Sequence, residues 1–83
     1  MSELENLRLK INEIDNNIIN LLSERMKVSC NVGDYKRANN MKVYDQSREK
    51  ELIDRLIKYS NMDEEFIKDL WGTIMKYSKK VQN

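Results

Sequence analysis

The amino-acid sequence predicts an all-α fold of three helices, one long and two shorter. The 83 residues contain no proline, and both glycines, Gly33 and Gly72, lie inside periodic apolar patterns rather than in turn-like clusters. Apolar residues recur three and four residues apart, which is the spacing of one helical face. A chain of this length should form a single domain, residues 1–83, that buries little of its surface without a partner.

The first helix is predicted from an apolar seam that continues without a slip over more than four heptads. Asn39 and Asn40 interrupt the pattern, so this helix should have about 35 residues and a length of ~50 Å. Two shorter helices cannot cover both sides of such a helix, so we expect a second copy of the chain to do so in an intertwined homodimer. The seam consists of Leu4, Leu7, Ile11, Ile14, Ile18, Leu21, Arg25, Val28, Val32 and Tyr35.

The second and third helices are predicted from N-cap residues followed by apolar stripes. Asp45 should cap a helix of about 13 residues, because aspartate is a favoured N-cap. Either Asn61 or Asp63 should cap a third helix of about 19 residues that runs to roughly Val81. The second stripe is Leu52, Ile53, Leu56 and Ile57, and the third is Phe66, Ile67, Leu70, Trp71, Ile74, Ser78 and Val81.

The composition excludes several classes of function. With 15 basic and 14 acidic residues the net charge is +1, which creates no long-range field to attract nucleic acid or an anionic membrane. The chain has no histidine and one cysteine, which excludes a Ser-His-Asp triad, zinc catalysis and an intrachain disulfide. The opening "MSELENLRLK" is charged and no 18-residue apolar stretch occurs, so we expect a soluble cytoplasmic protein.

Arg25 is the sharpest anomaly, because the other members of the seam are apolar or aromatic. An arginine at such a position must be paired, solvated or bound to a ligand. It could set the register of a helical dimer, form an ion pair with Glu24 or Glu49, or bind an anion. Lys36 lies on nearly the same face ~16 Å further along the helix, so the two side chains could close on a small anion. Alone, Lys36 is typical of a solvated helix end.

Further polar residues lie on the two shorter helices. Asp45, Arg48 and Glu49 project toward one side of a helix, which is typical of a capped helix with a surface ion pair. Ser78 continues the inward stripe of the third helix, so its hydroxyl must bond back to a carbonyl one turn earlier or find another partner. Gln82, one turn later, is more typical of a solvated side chain.

Together these residues closely resemble the AroQ-type, all-helical chorismate mutases over nearly the whole chain. The resemblance lies in "LRLKINEIDNNIINLLSERMKVSCNVGDYK", in the "D-x-x-R-E" after the loop and in the closing "S-x-x-x-Q". A single short motif often matches by chance, but eight residue types in order on the predicted helices form a specific signal. These are Arg8, Arg25, Lys36, Asp45, Arg48, Glu49, Ser78 and Gln82.

The resemblance implies that the chain rearranges chorismate to prephenate, a unimolecular pericyclic reaction that requires no nucleophile, metal or cofactor. Such an enzyme can hold the reactive conformer and stabilise the negative charge that develops on the ether oxygen. The implied substrate-binding pair is Arg25 and Arg8, which grip the two carboxylates, with a further hydrogen bond from Ser78. Lys36 and Gln82 would donate to the ether oxygen.

The remaining positions of the resemblance have supporting roles. Glu49 would accept a hydrogen bond from the ring hydroxyl, and Arg48 and Asp45 would shape the field of the site and the start of the second helix. Catalysis would thus rest on Lys36, Gln82, Arg25 and Glu49. The apolar walls implied by the same alignment are Val32, Leu52 and Met75.

Helix geometry adds that Arg8 and Arg25 are ~25 Å apart on one helix, too far for both to reach one small dicarboxylate. Arg8 should therefore come from the partner chain, with two composite sites per dimer. The function expected is a chorismate mutase that feeds phenylalanine and tyrosine synthesis. Two alternatives remain, an isochorismate pyruvate lyase of similar fold and a non-catalytic helical dimerisation module.

Overall fold

The computed structural model describes residues 2–83 and consists of three α-helices. They are α1 (Glu3–Ala38), α2 (Gln46–Ser60) and α3 (Glu64–Gln82). The prediction of one long and two shorter helices is confirmed, with α1 at 36 residues, α2 at 15 and α3 at 19. α3 packs against both other helices, and the body measures 57 × 24 × 16 Å.

Each helix begins at a capping side chain that accepts a hydrogen bond from a backbone N–H of the first turn. Ser2 caps α1, and Asp45 caps α2 as predicted. Of the two candidates for α3, Asp63 is the cap, with 3.0 Å between its Oδ2 and the backbone nitrogen of Phe66. Asn61 instead ends α2 in the left-handed conformation, with φ at 55°, which asparagine tolerates better than most residues.

The buried interior lies between α3 and the C-terminal half of α1. Ile67 and Ile74 of α3 are the buried apolar side chains among the residues described, and Ser29, Ser78 and Gln82 are buried polar ones. The α2 stripe is only half-buried. A chain of this size thus buries a small apolar core and an unusual share of polar side chains beside it.

The first half of α1 exposes the apolar seam that the sequence predicted. Leu4, Ile11, Ile14 and Leu21 are each more than half exposed. Such a continuous apolar stripe is uncommon on the surface of an isolated small protein. A search of residues 2–83 for a helix with the length and hydropathy needed to cross a membrane finds none.

Candidate active site

A cavity of about 340 Å³ lies where the three helices meet. It receives seven of the eight polar residues in the sequence pattern, together with the three residues expected as apolar walls, Val32, Leu52 and Met75. Its volume suits a small organic ligand. The seven polar residues are Arg25, Lys36, Asp45, Arg48, Glu49, Ser78 and Gln82.

Arg25 reaches across from α1 to α3. Its Nη1 donates a hydrogen bond to the Ser78 hydroxyl, and the Ser29 hydroxyl lies 3.3 Å from the same oxygen. Of the possibilities open for Arg25, an ion pair with Glu24 or Glu49 is not found within the described residues. Ser78 is held by α1 rather than by a carbonyl of its own helix.

The positive charge of Arg25 is poorly compensated by its surroundings. Burial lowers the pKa of Arg25, and the nearby positive charge of Arg48 lowers it further. Both causes disfavour the charged form, and both would be relieved by an anion bound between the two guanidinium groups. This corner of the cavity is therefore suited to a carboxylate.

Glu49 and Lys79 also line the cavity, and they form an ion pair. Glu49 Oε1 and Lys79 Nζ are 3.3 Å apart, and both side chains are partly buried. The Lys79 ammonium also lies 4.5 Å from the centre of the Tyr44 ring, a cation–π distance. These contacts join α2, α3 and the connection before α2, and they hold the Glu49 carboxylate at the cavity.

Lys36 fastens the connection between α1 and α2 to the cavity wall. Its Nζ donates to the carbonyl oxygen of Val43 at 2.9 Å, while the Met41 backbone N–H donates to the Lys36 carbonyl at 2.8 Å. An ammonium has three donors, so this bond leaves Lys36 able to donate to a ligand as well. The solvated helix end considered for this residue is not observed, because Lys36 is half-buried and bonded.

Gln82 lies where the resemblance placed it and not where its position near the end of the chain alone suggested. Its local sequence is typical of a solvated side chain, yet Gln82 is only 8% exposed and lines the cavity. Within residues 2–83 its buried Oε1 has no hydrogen-bond partner. An unsatisfied buried polar atom costs about 1–3 kcal/mol, so a ligand group that donates a hydrogen bond to this oxygen would offset a cost already present in the fold.

Arg8 lies outside the cavity, on the exposed first part of α1. The continuity of α1 over 36 residues supports the geometric expectation that Arg8 and Arg25 of one chain cannot meet at one small ligand. Two polar cavity residues, Ser29 and Lys79, were missed from the sequence. Ser29 lies one turn after Arg25, and Lys79 was part of the basic run "KYSKK", which is more typical of a solvated helix end.

Four cationic and two anionic side chains line the cavity, so it carries an excess of positive charge. Asp45 is engaged in capping α2 and Glu49 in pairing with Lys79, which leaves three cations, Arg25, Lys36 and Arg48, to face a ligand. Fold and cavity together define an all-helical protein with a cavity whose size and excess of positive charge suit a small organic anion.

The chorismate mutase type II family matches residues 7–83 of this sequence. The chain belongs to this family, whose enzymes are isomerases. It is 32% identical to the chorismate mutase of Methanocaldococcus jannaschii, with 99% of this chain and 86% of that protein covered.

Two further likenesses extend the comparison. The chain is 34% identical to the bifunctional chorismate mutase/prephenate dehydratase of Buchnera aphidicola subsp. Schizaphis graminum over 98% of its length, and spans 22% of the length of that relative. Among solved structures, a conserved hypothetical protein from Pyrococcus furiosus superposes with a TM-score of 0.83 at 30% identity, with 100% of this chain and 99% of that chain covered.

Proposed function

We propose that residues 1–83 act as one domain of a homodimeric chorismate mutase, which rearranges chorismate to prephenate. The observation that carries this proposal is the convergence of seven polar residues, drawn from all three helices and from the cap of α2, on one cavity. The family match and the chorismate mutase names of the relatives support the same substrate.

The rearrangement breaks a carbon–oxygen ether bond while a carbon–carbon bond forms, and it needs no proton transfer to or from the protein. The contribution of the protein is to hold the compact conformer and to place positive charge near the ether oxygen. Arg25 fits the first task, because its guanidinium lies in a partly buried corner with a second cation, Arg48, beside it. Ser78 orients Arg25 and offers a further polar contact to the same carboxylate.

Lys36 and Gln82 are the groups we assign to the ether oxygen. Lys36 has donors left over after its bond to Val43, and Gln82 lines the cavity with a side-chain amide whose NH2 group can donate. Glu49 is assigned to the ring hydroxyl, since Lys79 holds its carboxylate in a fixed place at the cavity edge. Asp45 fixes the start of α2, from which Arg48 and Glu49 project.

The exposed seam of α1 supports the homodimer. A second copy of this chain would cover the apolar stripe that α2 and α3 leave exposed, and a two-fold pairing of long helices would bring each Arg8 toward the cavity of the other chain. We therefore propose two composite sites per dimer, each with Arg8 donated by the partner.

Mixing two inactive variants tests the composite site. Arg8→Ala and Arg25→Ala homodimers should both be nearly inactive, because each lacks one arginine at both sites. A 1:1 mixture that exchanges subunits should recover about a quarter of the wild-type activity, since half of the dimers carry one intact site of two. No recovery after proven exchange, or full activity in a monomer, would contradict the arrangement.

The activity itself is tested by following the loss of chorismate absorbance with purified protein. Arg25→Ala and, as a matched control, Arg55→Ala on the exposed side of α2 are compared at equal concentration. We expect prephenate without pyruvate, with activity lost only in Arg25→Ala. Release of pyruvate from isochorismate would favour the lyase, and a folded dimer that turns over neither compound would leave a dimerisation module.

The product would supply phenylalanine and tyrosine synthesis, and prephenate dehydratase is the second activity in the names of the bifunctional relatives. We propose the cytoplasm as the location, because Cys30 is an exposed free thiol, which suits a reducing compartment. Growth of a chorismate mutase-deficient strain without phenylalanine and tyrosine would test the pathway role.

A further inference from the structure

The last turn of α3 approaches α1 most closely at Gly33. A Cβ atom added to Gly33 would lie 2.6 Å from the Cα of Gln82 and 2.7 Å from its carbonyl oxygen, whereas ordinary contact begins at 3.4 Å. Glycine is unfavourable inside a helix, so its presence here has a packing reason. Gly72 on α3 provides the contrast, because a Cβ there would meet nothing within 4 Å.

Arg37, one turn after Gly33, fastens the same end of α3. Its Nη1 donates a hydrogen bond to the Gln82 carbonyl, and its Nη2 donates to the Asp34 carboxylate. The last carbonyls of a helix have no partner within the helix, and a cation is favourable there. Asp34 thus orients the guanidinium, and the guanidinium satisfies the backbone of the residue whose side chain enters the cavity.

We propose that Gly33 and Arg37 are positioning residues that seat the last turn of α3 on α1 and thereby set where the Gln82 side chain enters the cavity. Lys36 lies between Gly33 and Arg37 on the same turn of α1. The contact of this turn with the end of α3 therefore fixes the separation between the Lys36 and Gln82 side chains. The effect on catalysis rests on the proposed function, in which Lys36 and Gln82 act on one oxygen.

The first test compares two Gly→Ala variants that make the same chemical change inside a helix. Gly33→Ala must push the end of α3 outward by ~1 Å, and a misplacement of that size should lower kcat about tenfold or more while KM changes less. Gly72→Ala has open space and should keep kcat within about twofold of wild type. Equal kcat values for the two folded variants would overturn the proposal.

The second test uses Arg37, in case Gly33→Ala does not fold. Arg37→Met should lower kcat, and Arg37→Lys should restore part of it, since an ammonium can still donate to the Gln82 carbonyl. In a Gln82→Ala background, Arg37→Met should cause no further loss of kcat, because the side chain that it positions is gone. An undiminished, additive loss in that background would overturn the proposed route through Gln82.

A third readout needs no substrate. In 15N-labelled protein the side-chain amide resonance of Gln82 should shift in Gly33→Ala and in Arg37→Met, and should stay in place in Gly72→Ala. If wild type shows no mutase activity and the resonance still behaves this way, the proposed function fails and the seating of α3 stands. If the resonance moves in neither Gly33→Ala nor Arg37→Met, the proposal that these residues position the end of α3 is wrong, even if the enzyme is active.

Discussion

The two halves of α1 have nearly the same periodic pattern but different surroundings. Residues 25–37 lie against α3, and there the helix presents Arg25, Ser29 and Gly33 to its neighbour. The first half presents Leu4 to Leu21 to solvent, with Ile14 still 55% exposed. One continuous helix thus contains one region that the chain itself covers and one that it does not.

The two halves of α1 differ in whether their inward-facing positions hold polar or apolar side chains. Where α3 covers α1, buried polar side chains are satisfied across the interface or directed into the cavity, and they replace much of the apolar core. Where α1 is uncovered, the seam is apolar without exception, as expected for a surface that a second chain buries. The covered half should therefore supply most of the site, and the uncovered half should determine assembly and, through Arg8, complete the site of the partner.

The largest effect is expected from Arg25→Ala. The loss of this guanidinium should reduce kcat/KM by about 10³-fold, because a partly buried, charge-assisted contact to a carboxylate disappears. The midpoint of thermal unfolding should stay the same or rise, since burial and Arg48 lower the pKa of Arg25 and its charge therefore disfavours folding at neutral pH. Steady-state kinetics with thermal unfolding checks both, and a lower midpoint together with unchanged activity would contradict both roles.

Lys36→Ala tests the catalytic role of the half of α1 that α3 covers. We expect kcat to fall about 10²-fold, because an ammonium aimed at developing negative charge acts mainly in the transition state. The measurement is kcat and KM over a range of chorismate concentrations, with circular dichroism to confirm that the helix content is retained. A rise in KM alone would assign Lys36 to substrate binding rather than to the ether oxygen.

Ile14→Glu addresses the uncovered region. A carboxylate in the seam that the proposed dimer buries should weaken dimerisation about 10²-fold or more, because burying an unpaired charge is costly. Sedimentation velocity across a dilution series gives the dissociation constant, and activity should fall in parallel as Arg8 leaves the partner site. The control is Tyr59→Glu, a side chain 87% exposed on α2, which should leave assembly unchanged. Equal behaviour of both variants would mean that the seam is not the interface.

The smallest effect is expected from Lys79→Met. Without its ammonium the Glu49 carboxylate loses a partner and becomes more mobile, so kcat/KM should fall by roughly threefold to tenfold. The neighbouring Lys80→Met is the matched control, because that ammonium lies 5.7 Å from the Tyr77 ring and does not line the cavity. A loss of equal size in both variants would indicate a general charge effect rather than a contact to Glu49.

Much of the fold could be predicted from sequence because its signals are local. Asp45 and Asp63 begin helices through bonds to N–H groups three residues later, and such chemistry can be read from a short window. The seven polar residues that meet at the cavity were found because their order and spacing match a family pattern, not because any local rule brings them together.

The parts that sequence reasoning missed depend on how helices approach one another. The resemblance included Gln82, but its local sequence did not predict its burial, which arises because α3 lies very close to α1; the only local signal for that approach was Gly33 inside an otherwise helical pattern. Lys79 pairs with Glu49 because α3 packs against α2, and no short stretch of sequence indicates that packing. A basic residue near a helix end has the same sequence appearance whether it faces solvent or a cavity.

The contact between Arg37 and the Gln82 carbonyl joins residues 45 positions apart in the chain. Chain synthesis proceeds from α1 toward α3, so a newly made α1 has its apolar seam and its Gly33 surface exposed before α3 exists. The entropic cost of closing a loop grows only with the logarithm of its length, so a separation of 45 residues does not prevent α3 from docking on α1. In the proposed homodimer, α1 would therefore present its pairing surface during synthesis before the α3 residues that complete its own cavity have been made.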